Sequence, residues 1–165
     1  MTTLPKLAVR DAIIVALVAA AWIGLLPASE GRPLLSDSLA LMLGLGVTVS
    51  AYLLHEWGHA LAGLMAGSRV HAPASLGSVS RFSFDPEVNG KAQFAAMSVG
   101  GFVVTAAAMG FVYFVLPDGY MASRVARGGV TVLAAITVFV EVPLLLYGLV
   151  ARRLPGVVAV FRPEG

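Results

Sequence analysis

The sequence predicts an all-α fold, a polytopic transmembrane helical bundle of about four spans that forms a single membrane domain over residues 1–165. Three observations carry the prediction. The chain is 58% hydrophobic and only 12% charged, against roughly 45–50% and about 25% in ordinary soluble domains. Its apolar residues fall into four long runs divided by short connections that hold the charges and prolines, and a bilayer-crossing helix needs roughly 20 such residues. A length of 165 residues suits one compact bundle and leaves no room for a second folded domain. The lipid bilayer is thus the first partner implied. Cysteine is absent, so disulfides and thiolate metal sites are excluded and any metal must be held by His, Asp or Glu. The net charge of +2 is small, and the basic residues between the runs act as topology signals with no sign of nucleic-acid binding.

The first run, Ala12 to Leu26, follows Lys6, Arg10 and Asp11 and stops at Pro27. About 15 residues is short for a span and also fits a signal-peptide core. Leu26 and Ala28 around Pro27 make a poor cleavage site, so the run is read as span one, residues 8–27. After Glu30, Arg32 and Asp37, the second run continues from Leu39 to Ala66 and closes with Gly67-Ser68-Arg69, a glycine stop. The connection from Arg69 to Lys91 is the longest polar segment. It reads as a solvated loop, or as one holding a short strand over Val79 to Phe84, where Phe82 and Phe84 alternate. Span three, residues 93–116, has no charge but is dense in Ser98, Gly100, Gly101, Thr105, Ala106, Ala107, Ala108 and Gly110. Small residues let membrane helices approach closely, so this span is expected at the packing centre. Pro117-Asp118-Gly119 then marks a turn, and Arg124 and Arg127 are assigned to the connection. Span four covers residues 129–151 and is interrupted by Glu141 and Pro143 before Arg152-Arg153. Beyond it, Val157 to Phe161 form an apolar patch suited to the interface. Lys and Arg collect near both termini and in the 69–91 loop, placing these on the cytoplasmic side of the cell membrane in a multi-pass protein.

Within span two stands His55-Glu56-Trp57-Gly58-His59. Residues four apart share a helix face, so two imidazoles can address one cation, while Glu56 lies beside them with the placement of a general base. Such a site holds zinc with two His and a third protein ligand, leaving one position for water. Two histidines on a helix also serve structural or proton-relay roles. Ionisable groups in apolar spans are rare and mark function by default, and this chain spends two of its three histidines here. Glu141 is the acid within span four and the leading third ligand; at 1.5 Å per residue, it and the motif lie roughly 14–15 Å from the same end of their helices. A neutral Glu141 buried in the bundle is the competing reading. His71 and Asp118 rank below it as ligands, the first needing the loop to fold back and the second lying on the outer side.

The string from His55 to Val70, with Gly58 after the variable position, Ala60 after the second His and Gly67-Ser68-Arg69-Val70 at the helix end, resembles the first motif of the site-2 protease family of intramembrane zinc metalloproteases. Met97-Ser98-Val99-Gly100-Gly101 resembles that family's second segment, with Gly101 in place of its proline. The order of helices also agrees over about residues 39–151, giving a three-helix core in spans two to four with span one as an addition. The family's Leu-Asp-Gly is not found; Leu146-Tyr147-Gly148 would leave Tyr147 at its ligand position, so that either Glu141 serves from another turn or the metal site is incomplete. The resemblance implies one zinc per chain on His55, His59 and Glu141, catalysis by Glu56, and cleavage of peptide bonds in or near the transmembrane helix of a membrane protein substrate. A non-catalytic membrane subunit on a degenerate scaffold and an ion transporter are the readings from other classes.

Overall fold

The computed structural model describes residues 4–30, 33–73, 82–151 and 154. Helix α1 runs Leu4–Leu25, α2 Pro33–Met65, α3 Lys91–Phe114, α4 Met121–Ile136 and α5 Val142–Val150. A π-helical turn, Thr137–Glu141, joins α4 to α5 without a break, and two short strands, β1 (Val70–His71) and β2 (Ser83–Phe84), pair between α2 and α3. Four helical segments, with α4 and α5 counted as one, are long and apolar enough to cross a membrane. Their outer faces carry exposed large residues such as Ile23, Met42, Phe114, Phe139 and Val150. Patches of that size are unfavourable in water, whereas lipid chains solvate them without cost.

Helix boundaries follow from local chemistry that apolar runs do not reveal. The second helix begins at Pro33 instead of Leu39, since a proline in the first turn lacks only an N–H that would have had no helical partner. The fourth begins at Met121 instead of Gly129, so Arg124 and Arg127 lie inside it. The Arg127 guanidinium donates to the carbonyls of Val112 and Leu116 at 2.9 Å each and pairs with Asp118 at 2.7 Å. It thereby satisfies the open C-terminal carbonyls of α3, where positive charge is also favoured by the helix dipole. Arg32, Arg81, Arg152, Arg153, Arg162 and the 157–161 patch lie outside the described residues.

Helix α2 is the hub, touching α1, α3 and α4. Its crossing with α3 is a backbone contact: a Cβ on Gly58 would meet the Gly100 carbonyl at 2.7 Å, and one on Gly100 would strike Gly58 and Ala62. Small residues at this density allow the close approach expected of span three, but the packing centre expected there is α2, which packs on α1 and meets α4 more extensively than α3 does among the described residues. Further along α2, Ala51 packs with Val112, Leu116, Ala126, Val130 and Leu133, while Ala40 and Leu43 pack with Ala122.

At one end of the bundle, side chains tie the helix termini together. The α2 helix closes with Ser68 N–H donating to Gly63 O at 2.9 Å while Gly67 takes φ 72°. Gln93 donates to the Gly67 carbonyl at 2.9 Å, and Lys91 to Leu149 O at 2.8 Å, so the ends of α2 and α5 meet the start of α3. Buried Asn89 exchanges two hydrogen bonds with the Arg69 backbone, at 2.7 and 2.9 Å. That clamp sets the antiparallel register Val70 to Phe84 and His71 to Ser83. The loop is therefore more than the solvated connection its sequence favoured: the weak strand signal over Val79 to Phe84 corresponds to a strand at Ser83–Phe84, and Val79 to Arg81 lie outside the described residues. Phe84 anchors it by packing on Phe94 at a ring separation of 5.7 Å.

Candidate metal centre

His55 and His59 face α3 from adjacent turns of α2, and the π turn carries Glu141 to the same place from 86 residues away. The His55 and His59 Nε2 atoms are 3.0 Å apart, and His55 Nε2 is 3.1 Å from Glu141 Oε1. His59 Nε2 is 3.8 Å from Glu141 Oε2. These three residues form a group that could hold a metal ion, with candidate ligand atoms all within 4.8 Å of one another. Three donors around a tetrahedral zinc at its usual bond lengths would sit about 3.3–3.6 Å apart. The observed spacing brackets that range.

The surroundings decide which atoms face the gap. His55 Nδ1 lies 3.1 Å from Gly101 O and 2.7 Å from the Thr105 hydroxyl, and His59 Nδ1 lies 2.8 Å from Met97 O. A carbonyl oxygen only accepts, so each Nδ1 carries the ring proton and donates it, leaving both Nε2 atoms with lone pairs directed at each other and at a carboxylate. Three such atoms at this separation repel unless a proton or a metal cation lies between them. Glu141 Oε2 is buried and has no hydrogen-bond partner among the described residues, a further deficit that a cation would remove. Outer partners that fix tautomer and ring orientation are characteristic of histidine metal ligands, and here all three belong to one stretch of α3.

Burial and sterics hold this arrangement. His55 is 1% exposed. A methyl group at Gly101 would overlap the His59 ring, so the glycine makes room for the imidazole. The π turn carries Glu141, the third candidate ligand: Val142 N–H reaches back five residues to Thr137 O, and Pro143 follows in the first turn of α5. Proline cannot donate to the preceding turn and crowds it, and single π turns commonly accompany such interruptions at functional sites.

Of the sequence-predicted ligands, His55, His59 and Glu141 converge and the competitors do not. His71 is exposed on β1. The Asp118 side chain is 91% exposed in its pair with Arg127. Tyr147 is 61% exposed on α5. Glu56 follows His55 on α2, half-buried and outside the converging three. Two contributors were not anticipated. Thr105 had been grouped with the small packing residues, although a hydroxyl within an uncharged span was a signal. Asp11 had been read only as a charge preceding the first apolar run, yet it is 4% exposed within α1 and accepts from the Trp57 indole at 2.9 Å. No family model matches this chain, and comparison with curated proteins and with solved structures gives no match.

Proposed function

We propose that this protein is an intramembrane zinc metalloprotease of the site-2 protease type, with α2, α3 and the fourth membrane-length segment as its core. It holds one zinc ion on His55, His59 and Glu141 and cleaves peptide bonds in or near the transmembrane helices of other membrane proteins. The observation that carries this reading is the convergence of three donor groups, each imidazole oriented through Nδ1 by a carbonyl of α3. When bound, zinc supplies Lewis acidity toward a scissile carbonyl and toward water.

The chain's own residues supply the remaining functions. Glu56, one residue after His55, takes a proton from the attacking water and returns it to the leaving amine. Thr105 and the carbonyls of Met97 and Gly101 keep the ligand rings from turning. A helical substrate hides its carbonyls in hydrogen bonds and must unwind before attack, and the β1–β2 pair offers an edge to hold it extended. Its placement suits the task, because Phe82 packs on Trp57 of the motif at a ring separation of 5.0 Å. A shortened 69–91 loop is then expected to impair cleavage of a helical substrate more than that of an unfolded peptide; equal relative losses would remove the edge-strand role. The distribution of Lys and Arg supports a cytoplasmic position for both termini and this loop.

The decisive experiment is metal analysis alongside proteolysis. Gently purified protein should carry one zinc per chain, lost in His55→Ala, His59→Ala and Glu141→Ala. Glu56→Gln should keep the zinc and lose cleavage. Wild-type protein without bound metal would overturn the assignment, and metal without cleavage of any transmembrane substrate would favour a non-catalytic subunit on the same scaffold.

A further inference from the structure

Another buried carboxylate lies inside a membrane-length helix, away from the metal group. Asp11 is 4% exposed in α1, held through Oδ1 by Arg10 at 2.8 and 2.9 Å, and its Oδ2 accepts from Trp57 Nε1 at 2.9 Å. An ion pair between adjacent residues of a membrane helix is costly and demands a role. A packing role alone would be served by an apolar residue, because elsewhere α1 meets the bundle through apolar contacts such as Val18 against Gly46 and Trp22 against the cores. A polar tie goes to the motif itself. Trp57 is also packed by Phe82, so its ring is held by α1 on one side and by the β1–β2 segment on the other. Successive helix residues are rotated by about 100°; Glu56 therefore projects from the sector between His55, which faces the metal group, and Trp57, which faces α1.

We propose that Asp11 is a positioning residue, fixing the Trp57 indole and with it α1 as the wall beside Glu56. The role at Glu56 rests on the protease reading; the latch itself does not. With the latch made, the space around Glu56 has a fixed width and restricted entry of water. With it broken, α1 stays hinged at Trp22 while its Asp11 end separates from the motif.

The test uses the full chain, whose lack of cysteine makes an introduced pair unambiguous. A Cβ built on Gly46 lies 3.9 Å from Val18 Cβ, within the range of a disulfide, so Val18→Cys with Gly46→Cys reports α1 docking by its crosslinking rate. Asp11→Leu should slow the crosslink about tenfold or more, as expected for loss of a hydrogen bond to a charged group, and in a Trp22→Phe background should red-shift the Trp57 emission. Asp11→Asn keeps an oxygen for the indole and should restore both signals. If the role of Asp11 were only to neutralise Arg10, Asn would fail as fully as Leu, and the proposal would fall. Trp57→Phe should slow the crosslink as much as Asp11→Leu, and combining the two should add nothing; additive effects overturn the latch. Zinc content should stay at the wild-type level throughout, and its loss would place Asp11 in the metal site instead. In the protease assay Asp11→Leu should lower kcat with little change in KM, while an inactive wild type would count against the protease reading and leave the crosslink and emission results to decide the latch.

Discussion

Two imidazole rings in this bundle owe their orientation to a few atoms of α3. Thr105 is the side chain among them, so Thr105→Val tests the outer shell without touching a ligand. Loss of such a partner typically lowers metal affinity by about 10–100-fold, and competition with a chromogenic zinc chelator should find Thr105→Val in that range with helix content unchanged. Gly101→Ala should be more severe, because the methyl group would occupy the position of the His59 ring; the same titration should find little or no tight zinc. The candidate ligands themselves were legible in the sequence, because His55 and His59 have helical ligand spacing and a carboxylate such as Glu141 is rare inside an apolar span. The orienting groups were not legible. Two of them are main-chain carbonyls, which every residue possesses, and Thr105 is distinguished from its small neighbours only by where the α2 and α3 backbones meet. Asp11 escaped for a similar reason, since a charge at the border of an apolar run looks solvated until the helix is known to continue past it.

At the scale of an element, the π turn is the feature on which the third ligand depends. Inserting or removing one residue rotates everything beyond it by about 100°. Deleting Val138, whose side chain is exposed in the π turn, should convert the turn to regular α-helix and shift Glu141 out of register with the histidines. Isothermal titration should then show zinc affinity reduced toward that of Glu141→Ala, and circular dichroism should show the helices retained. The crossing of α2 and α3 makes a separate claim. A side chain as large as Leu at Gly58 would force the two backbones apart, and overpacking of this kind typically costs about 1–3 kcal/mol, measurable as a lower thermal midpoint in detergent. The sequence predicted four apolar helical runs, and four helices long and apolar enough to cross a membrane are present. The helices begin before the apolar runs do, α2 because Pro33 suits a first turn and α4 because Arg127, which reads as a loop residue, is received by the end of α3.

For the whole molecule, the apolar outer surface and the end-to-end ties among α2, α3 and α5 describe a bundle closed by polar bonds at its ends and by small residues in its middle. The proposed orientation can be read directly in a cysteine-free chain. His71→Cys should react with a membrane-impermeant maleimide from the cytoplasmic side, and Asp118→Cys from the opposite side; the reverse pattern would invert the topology without altering the metal group. The loop between α2 and α3 shows most clearly what patterning leaves unstated. Its apolar residues are too few to announce packing, yet Asn89 makes two bonds to the Arg69 backbone and Phe82 seats it on the motif.

The long separation between the ligands also has a consequence for biosynthesis. The helix bearing both histidines and the helix whose carbonyls orient them are made first, while Glu141 follows His55 by 86 residues. A ribosome-bound chain inserted through α3 has two of the three candidate ligands, and the group is completed only when the membrane-length segment carrying Glu141 enters beside them. On the proposed reading, a nascent protease would pass most of its synthesis among other unfinished membrane proteins without the means to cut them.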